Sequence, residues 1–378
     1  MNSSKTMKWL NAALFVLVVG ATALAQGTIT LNGAGASFPA PLYFKWAEAY
    51  NQATDGAVQI NYQSIGSGGG VRQTLEKAVD FGGSDAPMLD GELVKAGALV
   101  NNFPTVLGAA VPTYNLPGNP TLNFTGEVLC DAFLGQITSW KDPAILALQD
   151  EANSQLLRDL DEATAKITIA HRSDGSGTTF IWTDYLGKVC PAWASQVGTA
   201  KTVNWPVGIG GKGNEGVARI VSQTPGTLGY VELIYALTNQ IGFGKVQNAA
   251  GNFVLASLDA VKAAAGGAVL PDDFRVSITA TPTAPQAYPI SSFTYLLVYP
   301  ELSVIPGMTQ AKAQDLGQYL CWGINTKLAN GGQSLAPTLA YAPLADQVSA
   351  RVVQAIESRV AFEGRPVIDP DHPGFCAR

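Results

Sequence analysis

The chain has 378 residues, 47% of them apolar and only 14% charged, with a formal net charge of −6. A chain this apolar is globular, not disordered, and its length calls for two domains. The acidic balance and the lack of any run of five Lys or Arg argue against nucleic acid as a partner, but an anion site is built from local donors and stays open.

The first 25 residues read as a secretory signal peptide. Lys5 and Lys8 make the basic start, Leu10 to Leu24 is mostly apolar, and Ala23-Leu24-Ala25 is an A-x-A cleavage signature before Gln26. The apolar run is short for a bilayer span. No Cys follows it to carry a lipid, and no later segment holds 18 uninterrupted apolar residues. An exported, soluble mature protein is expected.

Thr28 to Leu31 is a β-type run that reaches Gly33-Ala34-Gly35. From Pro39 the period becomes helical, with Leu42, Trp46, Ala49 and Tyr50 on one face. Asp55-Gly56 marks a turn. Val58, Ile60 and Tyr62 alternate as in a strand, and Gly66 to Gly70 reads as a glycine-rich loop. A second helix is predicted to carry Val71, Leu75, Ala78 and Val79, and Asp80 to Asp85 returns to the sheet. This rhythm predicts an α/β fold, an open sheet with helices on both sides and ligands at the carboxyl ends of strands.

Val106 to Tyr114 is an apolar strand that could cross between domains. Glu127 to Leu134 is helical. Ile167 to His171 is a strand, followed by a polar loop from Ser173 to Thr178 and a helix with Ile181, Tyr185 and Val189 on one face. Gly208 to Gly216 reads as another glycine-rich loop. Ser291 to Tyr299 is the return crossing, and Leu316 to Ile324 and Ala345 to Ser358 are helical. The expected division is domain I from 26–111 with 288–378, and domain II from 112–287.

Cys130, Cys190, Cys321 and Cys376 lack C-x-x-C spacing, which disfavours zinc and thioredoxin chemistry. An even count in an exported chain favours two disulfides. Three pairings are open; Cys130 with Cys190 and Cys321 with Cys376 would keep each bond inside one domain.

Three loops set hydroxyl residues beside glycines just before a predicted helix: Gly33-Ala34-Gly35-Ala36-Ser37-Phe38, Gly66-Ser67-Gly68-Gly69-Gly70 and Arg172-Ser173-Asp174-Gly175-Ser176-Gly177-Thr178. Helix N-termini leave N–H donors unsatisfied and favour negative charge. Ser and Thr add hydroxyl donors, and Arg172 adds a planar fork for two anion oxygens. Each loop alone could be simple helix capping by Ser37, Ser67 or Ser176. Together they point to a shared anion site.

Gly33-Ala34-Gly35-Ala36-Ser37-Phe38-Pro39-Ala40-Pro41-Leu42-Tyr43 resembles the opening signature of the substrate-binding protein of the high-affinity phosphate ABC transporter. Ile65 to Gly70, Asp80-Phe81-Gly82-Gly83-Ser84-Asp85-Ala86-Pro87, Phe103 to Val106, Leu134 to Ile137 with Trp140, Arg172 to Thr178, Gly208 to Gly216 and Gly229-Tyr230-Val231-Glu232 match the family in order. Segments 239–287 and beyond 328 carry little of the resemblance. It implies a two-domain periplasmic-binding-protein fold of type II-like build, each domain a mixed sheet flanked by helices, closing on a ligand in the cleft between them. It implies donors to inorganic phosphate from Ser37, Phe38, Ser67, Arg172, Ser176, Gly177 and Thr178, with Asp174 holding Arg172. It further implies a monomer in the periplasm, no cofactor, no turnover, and membrane permease and ATPase subunits as partners.

Asp85 carries the selectivity. Neutral-pH phosphate bears a proton and sulfate none, and an ionised Asp only accepts. Asp85 can therefore accept the phosphate proton but can only repel sulfate, at a cost of several kcal/mol for an unpaired buried charge. A cap for the helix after Pro87 is its ordinary alternative. Enzyme motifs fail. Asp174-Gly175-Ser176-Gly177 lacks the first glycine of G-x-S-x-G. Lys212 lacks the Walker context, since Gly213 and Pro206 stand where the motif needs Ser or Thr and Gly. His171 and His372 are the only histidines, and no metal cluster is expected. Trp140, Trp182, Trp193 and Trp205 read as core residues.

Overall fold

The computed structural model describes residues 27–97, 99–280 and 284–377, so the expected signal peptide lies outside the described residues. The chain opens with β1 (Ile29–Gly35), α1 (Ala40–Ala53), β2 (Val58–Ser64), α2 (Ser67–Leu75), β3 (Phe81–Ser84), α3 (Asp90–Ala96) and β4 (Asn101–Tyr114). It continues through α4 (Gly126–Phe133), β5 (Thr168–Arg172), α5 (Gly177–Val189), β6 (Ile209–Gly211), α6 (Gly213–Gln223), β7 (Thr227–Glu232) and α7 (Leu233–Thr238). Then come α8 (Leu258–Ala265), β8 (Ser291–Val298), α9 (Gln310–Ile324) and α10 (Asp346–Arg359).

The main sheet runs β2-β1-β3-β8-β4-β7-β5-β6, with Gly242–Phe243 pairing beside β4. β4 is the spine. It is antiparallel to β8 over Asn101–Ala109, then antiparallel to β7 over Ala110–Tyr114. After Asn101 it is buried along its whole length, as expected of a strand covered on both faces. One strand thus serves two halves of the sheet. β1, β2 and β3 run parallel in one half, and β5, β6 and β7 run parallel in the other.

The apolar alternation of Val58, Ile60 and Tyr62 does mark a strand, with the alternate residues exposed. Three local expectations need correction. The stretch Gly66 to Gly70 is not a loop, because α2 starts at Ser67. Only Gly66 stays outside, at φ 81°, which a glycine adopts without strain. The predicted second helix does not reach Val79. It ends at Leu75, and Lys77 turns the chain at φ 53°. That turn lets Asp80 meet β1, where its N–H donates to Asn32 O and its carboxylate accepts the Asn32 N–H. The glycine-rich stretch 208–216 likewise resolves into β6 and the start of α6.

Cys130 is joined to Cys190, tying α4 to the end of α5, and Cys321 is joined to Cys376, tying α9 to the C-terminal tail. This is the preferred one of the three open pairings. Segment 258–276 packs on the half of the sheet that holds β8. Ala260 O accepts the Tyr288 N–H, Arg351 donates to Leu270 O, Arg359 to Asp272 O, and Tyr295 to Val276 O. Among the described residues no helix is long and apolar enough to cross a membrane.

Candidate anion-binding site

The loops after β1 and β3 and the start of α2 face the loop after β5 and the starts of α5 and α6. α2 and α5 meet end to end: the Gly68 N–H donates to Gly175 O at 2.8 Å. Gly177 lies so close that a Cβ there would collide with Asp85 Oδ2 and Ser67 Oγ. Gly66 similarly leaves no room for a side chain beside Asp174 and Gly175. The contact between the two halves therefore requires glycine.

Ser37, Ser67, Asp85, Arg172, Ser176 and Thr178 are all buried, none more than 3% exposed, and they come together here. Ser67 Oγ donates to Asp85 Oδ2 at 3.2 Å and accepts the Asp85 N–H at 3.1 Å. Thr294 Oγ1 donates to Asp85 Oδ1 at 2.7 Å. Asp85 caps no helix, since α3 starts later, where Glu92 closes back on the Leu89 N–H. Burial raises the Asp85 carboxyl to about 7, against the lowering pull of Thr294, the Arg172 charge and Ser67.

Arg172, at the end of β5, donates from Nε to Asp174 Oδ1 (2.7 Å) and from Nη2 to Asp174 Oδ2 (2.6 Å). This bidentate grip fixes the guanidinium plane and leaves Nη1, which reaches Thr178 Oγ1 at 3.4 Å. Burial pushes the Asp174 carboxyl up, but the Arg172 hydrogen bonds and charge and the Gly213 N–H outweigh it and hold it below the usual range. Asp174 is therefore an anion that cancels the charge of Arg172 only in part of its directions.

Ser176 does cap α5: its Oγ accepts the Thr179 N–H at 3.0 Å. A capping hydroxyl still has its own hydrogen to give, so capping and anion binding are compatible. The first N–H groups of α5, at Gly177 and Thr178, precede any intrahelical acceptor. Ser37 is no cap. Its Oγ accepts from Asn214 Nδ2 (3.0 Å) and from the Asn214 N–H (3.3 Å). The Phe38 side chain is buried, in contact with the ring of Tyr341.

Four residues of the site were given no site role from the sequence, although Asn214 and Glu232 lie in stretches that match the family. Thr294 is a buried hydroxyl inside the apolar run of β8. Asn214, wholly buried at the start of α6, donates from Nδ2 to both Ser37 Oγ and Thr178 Oγ1, each at 3.0 Å, and accepts the Glu232 N–H. Tyr235, in α7, donates to Ser37 O at 2.7 Å. Glu232 is fully buried, and burial holds its carboxyl well above the usual range. Polar residues inside apolar or glycine-rich runs were the available signal. His171 stacks on Trp205 and burial lowers its imidazole, so it packs instead of binding. Among the described residues no group of three or more His, Cys, Asp or Glu could hold a metal ion.

Residues 20–321 match the PBP superfamily domain. The phosphate-binding protein PstS of Pasteurella multocida is 40% identical over 344 residues, covering 90% of this chain and 94% of the relative. The chain belongs to the PstS phosphate-binding protein family. PstS of Xylella fastidiosa (strain Temecula1) is 43% identical, covering 84% of this chain and 82% of the relative. A high-affinity periplasmic phosphate-binding protein solved with phosphate shares the fold, with a TM-score of 0.67 at 19% identity, over 86% of this chain and 94% of that one. The two halves of the sheet are thus the two domains of a periplasmic phosphate-binding-protein fold. The family expectation drawn from the glycine-hydroxyl loops agrees with these matches.

Proposed function

We propose that the chain captures inorganic phosphate in the cleft between its two domains and passes it, unaltered, to the membrane subunits of an ABC importer. The observation that carries this reading is the pairing of opposites at one buried place. Arg172 and the N–H groups that start α5 offer positive potential, while Asp85 offers a buried acceptor. Only an anion that itself carries a proton satisfies both sides. Phosphate does so at neutral pH, and the names of the PstS relatives agree.

In this reading Ser37, Phe38, Ser67, Arg172, Ser176, Gly177 and Thr178 donate to phosphate oxygens, and Asp85 accepts the phosphate proton. Asp174 keeps Arg172 in its plane. The first domain comprises 26–111 and 288–378, and the second is built from 112–287 except for 258–276, which packs on the first as a strap. The hinge falls at Ala109-Ala110, where β4 changes partner from β8 to β7. The protein works as a periplasmic monomer, and closure of the domains on phosphate gives the permease a surface to read.

Equilibrium titration of the purified protein with phosphate and with sulfate tests the reading. Saturable phosphate binding tighter than sulfate binding is expected, by a margin that widens as pH rises above about 7 and Asp85 ionises. No phosphate binding, or equal affinity for the two anions, would discard it.

A further inference from the structure

Three tyrosines hold the outer side of the first anion loop. Tyr62 donates to Ala36 O at 2.9 Å, Tyr235 to Ser37 O at 2.7 Å, and Tyr341 to Phe38 O. They take three successive carbonyls, one each, and they come from β2, from α7 and from the segment before α10. A trans peptide sets its C=O and the following N–H on opposite sides of the chain. A donor that fixes one carbonyl direction therefore aims the next residue's N–H the other way.

The consequence differs for the three. Tyr62 aims the Ser37 N–H. Tyr341 grips the peptide before Pro39, which has no N–H to aim. Tyr235 grips the Ser37–Phe38 peptide and so aims the Phe38 N–H, which makes no hydrogen bond of its own among the described residues. Tyr235 is also the one of the three on the second half of the sheet, reaching across to the first. The other donor to Ser37 O is the Ala40 N–H, at a longer 3.3 Å. Burial, and then the charges of Glu215 and Glu232, push the Tyr235 phenol up, so it remains a donor across the physiological range.

We infer that Tyr235 is a positioning residue for the bound anion: its hydroxyl, acting across the cleft on Ser37 O, aims the Phe38 N–H at the ligand. This rests on the phosphate reading above. Neither a contact of the Tyr235 hydroxyl with phosphate nor a change of its charge is involved.

The test compares full-length mature parent, Tyr235→Phe and Tyr62→Phe by phosphate titration, stopped-flow release and amide NMR of 15N-labelled protein. Tyr235→Phe should lower phosphate affinity about tenfold, the size of one lost hydrogen bond near a charged ligand, mainly through faster release. The phosphate-induced downfield shift of the Phe38 amide proton should shrink in Tyr235→Phe and persist in Tyr62→Phe. The ligand-free melting temperature should stay within about 2 °C of the parent's, since the substitution removes one hydroxyl and leaves Ser37 O with the Ala40 N–H as a donor. Parent-like affinity with an unchanged Phe38 shift in Tyr235→Phe would overturn the inference. So would an equal loss of that shift in Tyr62→Phe, which would show a general loosening of the loop. A parent that binds no phosphate at all would instead remove the functional reading beneath it.

Discussion

Ser67 and Asp85 are bonded to each other twice, the serine oxygen accepting the aspartate N–H at 3.1 Å and donating to its Oδ2 at 3.2 Å. Thr294 occupies Oδ1. Each carboxylate oxygen thus has one hydroxyl donor, and among the described residues no ion pair within 4.0 Å neutralises it, while Arg172 gives Nε and Nη2 to Asp174. Two neutral donors do not repay the removal of a full charge from water, so the carboxyl sits near 7.

That shift makes ligand-free stability depend on pH, with a definite sign. The folded protein holds the Asp85 proton to about 7, while an unfolded chain releases it near 4. Between those values the folded state binds more protons, so stability is fully present below about 4 and is lost as pH rises through about 7. The melting temperature of the phosphate-free protein should fall from pH 5 to pH 8, and Asp85→Asn should flatten the fall. Scanning calorimetry at several pH values checks this. Identical slopes for parent and variant would contradict it.

The same substitution should change selectivity. An amide can donate to sulfate where the carboxylate only repels it. Asp85→Asn is expected to weaken phosphate binding and tighten sulfate binding, narrowing their ratio by at least about tenfold. Competitive titration of the two anions measures the ratio, and an unchanged ratio would mean that discrimination lies elsewhere.

The supporting frame of this carboxylate was only half legible in the sequence. Asp85, Ser67 and Arg172 stood beside glycines at strand ends, where the β-α-β rhythm places ligands. Thr294 lies 209 positions from Asp85 and looked like one polar residue in an apolar strand. Its role depends on β8 pairing beside β3, an antiparallel neighbour that no local pattern announces. The start of α2 was misread for a related reason. Gly68, Gly69 and Gly70 disfavour helix by about 1 kcal/mol each, yet Gly68 must pass against Gly175 and Gly70 against Gly83. Tertiary contact overrode propensity. The strap 258–276 has neither strong period nor motif, and its place is set by Arg351 and Arg359, far along the chain.

Asn214 joins the two halves of the sheet at two of the residues proposed to hold phosphate. Its amide donates to Ser37 on one side and Thr178 on the other, and its carbonyl takes the buried Glu232 N–H. Asn214→Ala should cost about 1–3 kcal/mol of stability, because it strands that N–H, and should weaken phosphate binding about ten- to a hundredfold. Asn214→Asp keeps the acceptor but loses both donations and adds a negative group beside the anion. Its phosphate affinity should therefore fall further as pH rises from 6 to 8, beyond any trend in the parent. A pH-independent ratio of the two affinities would count against this placement of Asn214.

Lys201 closes the cleft from its rim. Its carbonyl accepts the Ser176 N–H at 2.8 Å, while its Nζ crosses to Glu92 Oε1, in α3, at 2.6 Å. The two side chains are 14% and 20% exposed, so the pair is shielded from water more than a surface bridge, though salt still reaches it. Lys201→Gln removes the charge and leaves the backbone grip on Ser176 in place. An ion pair of this kind contributes about 1 kcal/mol. It forms only when the two domains meet, so the loss should appear as phosphate release roughly five times faster, with association unchanged. Raising salt from 0.1 to 1 M should speed release from the parent but hardly from the variant, as the Debye length shrinks from about 10 to 3 Å. Stopped-flow release at both salt concentrations separates the cases. A variant that releases phosphate at the parent's rate would show that Lys201 and Glu92 meet without helping to hold the cleft shut.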